Sequence, residues 1–561
     1  MCRIPRDEMA LIFDRTGVRS CKALDWPTKS SLRQTENVLA QNFLKSAARC
    51  FSLSKIPMSE RLFSWLTSRG AGVFLHPTSL PGPSGIGTLG QEARQFVNFL
   101  ADAGMRYWQI CPLGPTGCGN SPYQCFSAFA GNPYLIDLTG LVTEGLLGEA
   151  DLVALQGLPD DFVDYGAQWH SRWKILRTAF DNFSKRGQAA DQEEFAKFRK
   201  TNRGWLDPYA LFMGLKNQFD GISWQEWPEE FRRYRTLTKQ SVRRQLAQEA
   251  LAHAFYQFVF LKQWSSLKRY ANKRQIQIFG DIPMFVAMDS AEVWARPELF
   301  QLDENLKPTG ISGNPPDYFS ADGQVWGNPL YNWPRHLTDN FRWWLSRLQA
   351  SLPLYDVIRL DHFRGFHEYC KIPPNATDAH VYQWEPGPGV KLFKIIRKCF
   401  PEAKLVAEDL GINIPGSVRR LVDETGLPGM KVMQFGFEGE LEYLPHNAIP
   451  DSVLYPGTHD NDTAWGWFRT QGDRVKRFLK RYLRVSGNDV SWDLIRAGYA
   501  ASSRIFVAPL QDFLSLGSEA RMNTPGTSSG NWCWRFTSSQ LDDLRKNRAK
   551  ELREYAKLYE R

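Results

Sequence analysis

VIRLDHFRG (357–365) is the stretch whose reading decides the fold. An apolar run, Val357, Ile358 and Leu360, finishes with an arginine and an aspartate two residues apart, Arg359 and Asp361. Side chains alternate between the two faces of a strand, inward and outward when the strand belongs to a barrel. On that period Ile358 and Leu360 face the surrounding helices. Val357, Arg359 and Asp361 face the axis, with Asp361 at the C-terminal rim, where barrel enzymes carry their chemistry. A cation within a few ångströms favours an ionised carboxylate, which gives Arg359 a use beside Asp361.

Seven more apolar runs share this character: GVFLHP (72–77), YWQICPL (107–113), QIFGDIPMFV (277–286), KLVAEDL (404–410), KVMQFGF (431–437), SVLYPGTHD (452–460) and RIFVAPLQD (504–512). Helical patterns such as EARQFVNFLADAG (92–104) and NFRWWLSRLQASL (340–352) lie between them. Short, continuously apolar strands alternating with helices predict a parallel sheet. Eight of them predict an α/β fold of the (β/α)8 TIM-barrel type. A doubly wound sheet would carry a GxGxxG turn after its first strand, and HPTSLPGPSGIG (76–87) is not one. The spacing is uneven, so large insertions are expected at about 114–275 and 300–335, forming subdomains around the mouth. The first holds a strand-like NPYLIDL (132–138) and a long helical pattern over 245–273. The second is rich in Pro, Gly, Asn and Asp and reads as a long loop over the barrel mouth.

Two more carboxylates reach the same rim. AEDLG places Glu408 at the end of the run after VIRLDHFRG, and GTHD places Asp460 at the end of a later one. Each motif alone reads as a cap or a turn; their joint occurrence on separate strands does not. Two carboxyls about 5–5.5 Å apart across a glycosidic bond perform retaining glycoside chemistry, one attacking and one donating a proton. A third can stabilise the developing positive charge. The motifs alone do not separate a transferase from a hydrolase.

Composition restricts the rest. The chain has 561 residues, long enough for a large barrel with insertions. Its 20 Trp, 19 Tyr and 36 Phe suit either a packed core or a cleft lined with ring faces. The formal charge of +9 is dispersed among acids and comes with no recognition motif, so no nucleic-acid partner is expected. No apolar stretch is long enough to span a bilayer. The nine cysteines show no CxxC or Cys/His pattern and read mostly as reduced thiols, with no metal and no cofactor expected. Residues 1–65 lack strand or helix periodicity and an apolar signal core, while Asp7, Glu8, Asp14, Asp25 and Glu36 speak against a transit peptide. They are expected to be a disordered extension, with the catalytic domain over 66–561.

IRLDHFRG, AEDLG and GTHDNDT, in that order, resemble the 4-α-glucanotransferases of glycoside hydrolase family 77. The likeness extends to HPTSLPGPSGIGTLG (76–90), GNSPYQCFSAFAGNPYLIDL (119–138), GDIPMFVAMDSAEVW (280–294), GNPPDYFSADGQVWGNPLYNW (313–333) and RMNTPGTSSGNWCWR (521–535). The resemblance implies transfer of an α-1,4-glucan segment to the 4-hydroxyl of glucose or a maltooligosaccharide, by a retaining double displacement. It implies Asp361 as nucleophile, Glu408 as general acid/base and Asp460 as transition-state stabiliser. Arg359 and His459 match sugar contacts, Tyr123 an aromatic platform, and Asp281 an aspartate at the third strand's end. Tyr318, Phe319 and Trp326 match a loop over the acceptor side. His362, next after the nucleophile, should face away from the axis, and His76 reads as structural. The expected compartment is the cytoplasm, with the plastid as alternative. The rivals are a metal-dependent barrel hydrolase, disfavoured by only 9 histidines and no HxH on the first strand, and a non-catalytic glucan binder, disfavoured by the intact acidic trio.

Overall fold

The fold, given by a computed structural model, is described over residues 61–236, 240–316, 322–411, 414–527 and 529–561. Eight strands form one all-parallel sheet: β1 (Gly70–Phe74), β2 (Tyr107–Gln109), β3 (Gln277–Ile282), β4 (Val357–Leu360), β5 (Leu405–Ala407), β6 (Gly429–Val432), β7 (Ser452–Tyr455) and β8 (Ile505–Pro509). Sequence neighbours pair from β1 to β5 and from β6 to β8, and β8 pairs back onto β1, Gly70 opposite Ile505. Between β5 and β6 the circle is joined by Ala407 N–H donating to Pro428 O, 2.9 Å. This is the (β/α)8 barrel that the eight apolar runs predict. Among the described residues no helix is long and apolar enough to cross a membrane.

The alternation read from VIRLDHFRG holds through the strand. Val357 packs inside the cylinder with Phe279, Val406, Val453 and Val507, whereas Ile358 and Leu360 join the larger core between strands and helices. Both sets are almost fully buried. Each such aliphatic side chain contributes roughly 1.5–3 kcal/mol of burial. The barrel is therefore a filled core whose polar groups gather only at its end. Cys111, Cys125, Cys370 and Cys533 are free thiols.

Helix α1 (Gln91–Asp102) follows β1 and buries Phe96, Val97, Phe99 and Leu100 at helical spacing. Three long helices, α2 (Tyr165–Arg186), α3 (Ala189–Gln218) and α4 (Ala247–Lys273), fill the segment between β2 and β3. The described chain starts at the foot of the barrel, where Phe63 N–H donates to Thr425 O and Trp65 Nε1 to Leu405 O. Residues 1–60, most of the expected N-terminal extension, lie outside the described residues.

Three local readings are corrected. NPYLIDL is not a strand. Asn132 accepts a bond from Tyr134 N–H with Pro133 at the first helical position, and Asp137 caps a short helix, Leu138–Thr143. Side-chain caps thus override apolar content there. KVMQFGF is half strand: β6 stops at Val432 and Met433–Glu438 is helical. The 300–335 segment is not a plain loop. Strands Ile311–Asn314 and Gln324–Pro329 join Glu368–Ile372 and Gln383–Pro386 in a four-stranded antiparallel sheet. Its small core is Ile311, Cys370, Ile372 and Ala379, drawn from two separate insertions, which no local pattern displays. Gly313 is required where those strands meet, since a Cβ there would sit 2.3 Å from Gln324 O.

Gly280 on β3 is opposite Ile358 in register, and a Cβ at this position would lie 2.2 Å from the ring of Tyr355. Gly280→Ala should therefore destabilise by about 1–3 kcal/mol through overpacking. Calorimetry should show a lower Tm; a variant as stable as its parent would contradict this packing.

Candidate active site at the C-terminal end of the barrel

The site begins with one register. Asp281 on β3 and Arg359 on β4 are Cα partners, both facing the axis. Arg359 Nη1 lies 2.6 Å from Asp281 Oδ2 and 2.9 Å from Asp361 Oδ1, and its Nη2 lies 4.0 Å from Glu408 Oε2. Burial alone would lower the guanidinium pKa. Asp281, Asp361, Tyr123 and Glu408 outweigh it and hold Arg359 well above its ordinary value.

The strand ends at Leu360, and alternation ends with it. His362 adopts a left-handed backbone, φ 45° and ψ 55°, costly for a residue with a Cβ. This turn sends the His362 N–H to Glu408 Oε2 at 2.6 Å, while Leu410 N–H reaches Oε1 at 3.3 Å. Two carboxylates from neighbouring strands thus bracket one turn. Their surroundings differ: the Asp361 side chain is 24% exposed and Glu408 13%. Burial pushes the Glu408 carboxyl up to about 8, against the pull of Arg359. Asp281 is raised to about 6 by burial, again opposed by Arg359.

The expectation that His362 turns simply away from the axis is refined by that turn. Its ring meets the indole of Trp326 edge to face, centroids 4.9 Å apart, and burial lowers its pKa to about 4. Trp326 lies on the antiparallel sheet, so this contact docks that sheet beside the carboxylates. Tyr318 and Phe319 lie outside the described residues.

The third carboxylate is joined from the other side. Tyr123 donates from its hydroxyl to Asp281 Oδ2, 2.7 Å, and its ring stacks on His459, centroids 5.2 Å apart at 18°. His459 Nε2 lies 3.4 Å from Asp460 Oδ2. Burial lowers the His459 pKa, although Asp460 opposes it. Asp460, Asp281, Asp361 and Glu408 are therefore linked through Tyr123, His459 and Arg359 into one cluster. His76 is enclosed at the end of β1, and burial, with His459 acting in the same direction, lowers its pKa to about 3.

Three participants escape a reading by strand ends. Asn523 Nδ2 donates to Asp460 Oδ1 at 2.6 Å, and Arg521 Nη2 donates to the Asp460 carbonyl at 2.6 Å. Trp532 packs against both Tyr123 and His459, 5.8 and 5.7 Å between centroids. All three belong to RMNTPGTSSGNWCWR, after the last strand; its density of Asn, Arg and Trp was the available signal. Among the described residues no group of three or more His, Cys, Asp or Glu side chains is arranged to hold a metal ion. Chemically, the arrangement offers a carboxyl held protonated near neutral pH beside a carboxylate paired with a cation.

Comparison with known proteins shows the family. A family model described as 4-alpha-glucanotransferase, glycoside hydrolase family 77, matches residues 75–541. The chain is 48% identical to a 4-alpha-glucanotransferase of Thermus thermophilus, covering 84% of this chain and 96% of that one. It is 39% identical to a chloroplastic/amyloplastic 4-alpha-glucanotransferase of Arabidopsis thaliana, covering 88% and 86%. The fold superposes on an amylomaltase from Streptococcus agalactiae in complex with acarbose with a TM-score of 0.84, at 39% identity, covering 88% of this chain and 99% of that one. The chain is an enzyme and belongs to the 4-alpha-glucanotransferases of glycoside hydrolase family 77.

Proposed function

We propose that this enzyme moves a segment of an α-1,4-glucan onto the 4-hydroxyl of glucose or a maltooligosaccharide through a covalent glycosyl–aspartate. Asp361 attacks the anomeric carbon while Glu408 gives its proton to the departing glycosidic oxygen. The acceptor hydroxyl then attacks the same anomeric carbon, Glu408 takes its proton, and the bond to Asp361 breaks to release its carboxylate. Asp460, oriented by Asn523, stabilises the positive charge that develops on the sugar in both steps. Arg359 and His459 contact the sugar at the cleavage point, and Tyr123 lies beneath it. Asp281 holds Arg359 and Tyr123 in place.

The observation that carries this reading is the inequality between the two carboxyls bracketing His362. Glu408 keeps its proton to about pH 8, whereas Asp361 faces a guanidinium at 2.9 Å. A general acid and an attacking carboxylate need such opposite environments. Transfer over hydrolysis is supported by family membership and by the antiparallel sheet that brings Trp326 beside His362. A covered site disfavours water and positions an acceptor. For the compartment, the reading stays between cytoplasm and plastid, since a bacterial relative and a chloroplastic/amyloplastic plant relative both match.

Incubation with maltotriose followed by product sizing tests transfer. Longer maltooligosaccharides should appear beside glucose, and a product set containing only shorter sugars would overturn the reading. Asp361→Asn should still bind maltooligosaccharide, measured by calorimetry, while forming no product. Glu408→Gln should lose about 10²–10⁴-fold in turnover, the range for a general acid/base. The pH profile follows from the raised Glu408 value of about 8. The acid is protonated below it and lost above it, so kcat/KM should fall on the alkaline side near pH 8. A profile already falling near pH 5 would contradict the assignment.

A further inference from the structure

Apart from the active site, the described residues form an open pocket of about 440 Å³ on the outer shoulder of the barrel. Its walls come from three places. One is Trp465, five residues past Asp460; another is Phe513–Ser515, just beyond the end of β8. The third is the start of the helix Val490–Ala500, faced by the π-helical turn Leu544–Arg548. Trp465 and Phe513 follow the C-terminal ends of β7 and β8, so the pocket opens at the same end of the barrel as the carboxylates. Its volume falls within the range of roughly 300–1,000 Å³ usual for small-ligand sites.

The lining is chemically selective. Trp492 and Phe513 form a buried apolar floor, and Trp465 stands half-buried beside it, stacked on Phe468 at 6.3 Å. Ser491 has no exposed surface, and its hydroxyl finds no hydrogen-bond partner among the described residues. A buried hydroxyl left unpaired is costly, so its place in a pocket wall calls for a ligand that pairs with it. The rim is polar: Asn488, Asp489 and Asp543 are exposed. Arg548 covers the Trp492 ring at 4.2 Å and pairs with Glu551 at 2.9 Å, so its charge is already engaged. Ser515 has a left-handed φ of 52°, and π-turns and strained residues both concentrate at functional sites.

We propose that this pocket is a second saccharide-binding site, taking one or two pyranose rings of a glucan whose chain also reaches the barrel mouth. The half-buried indole of Trp465 covers the apolar face of a sugar ring, while Ser491, Asn488 and the two carboxylates bond its hydroxyls. Two aspartates against one engaged arginine disfavour an anionic ligand. A site at this end of the barrel tethers a long glucan and raises its effective concentration at the mouth, an advantage no short oligosaccharide can use. The identity of the ligand rests on the glucan-transfer reading; the existence of the site does not.

Retention on insoluble starch and KM for amylose, compared with turnover of maltotriose, test the site. Trp465→Ala and Ser491→Ala, made in the full chain, should each weaken starch retention and raise the amylose KM, by about tenfold for the tryptophan. Maltotriose turnover should stay within about twofold of the parent. Ser491→Ala removes only an unpaired hydroxyl, so it keeps the test valid if Trp465→Ala fails to fold. Unchanged retention and KM in the folded variants overturn the site. Equal losses on maltotriose and amylose also overturn it, because they place the effect at the mouth. Failure of the unaltered chain to elongate maltotriose would instead overturn the transfer reading, and the retention comparison would still decide this site.

Discussion

The guanidinium of Arg359 is the constraint on which the rest depends. It lies inside the barrel within 4.0 Å of three carboxylates, Asp281, Asp361 and Glu408. Acids brought this close in a poorly hydrated space repel one another, and burial favours their neutral forms. One buried cation lets them coexist, and its unequal distances leave them unequal. The nearest contacts fall on Asp281 and Asp361, at 2.6 and 2.9 Å, while burial pushes Glu408, 4.0 Å away, up to about 8. The unlike surroundings of the Asp361 and Glu408 carboxyls therefore follow from burial and from where one arginine sits in a strand register.

That register has structural consequences beyond charge. Because Arg359 is opposite Asp281, the Asp281 carboxylate is also placed to receive the Tyr123 hydroxyl, and the Tyr123 ring in turn supports His459. Asp460 is held to this frame by His459 on one side and by Asn523 and Arg521 on the other. The groups come from β2–β3 loops, β3, β4, β5, the end of β7 and the segment after β8. A barrel can assemble such a set because all its strands end on one rim. The left-handed turn at His362 adds the last element, aiming one backbone N–H at Glu408 and one ring at Trp326.

Much of this was legible in the chain itself. The eight apolar runs correspond to the eight barrel strands, because a strand buried on both faces must be continuously apolar wherever it lies. Val357, Ile358 and Leu360 divide between inner and outer cores as the period of two requires. What was illegible shares a cause. The antiparallel sheet has a core of Ile311, Cys370, Ile372 and Ala379, contributed by insertions after two different barrel strands. Neither insertion shows a complete apolar pattern alone. NPYLIDL failed for the opposite reason: Asn132 and Asp137 decide its conformation by capping, whatever the apolar content around them.

The order of strands, the three acidic rim positions and the arginine beside the first of them were determined by the sequence alone, because each is a local pattern repeated along a strand. Tertiary structure decided what those acids are like. The raised pKa of Glu408, the pairing of Asp281 with Tyr123, the grip of Asn523 on Asp460 and the docking of Trp326 on His362 are contacts between residues distant in the chain. Burial and charge proximity are properties of the space around a group, and that space exists only once the barrel has closed.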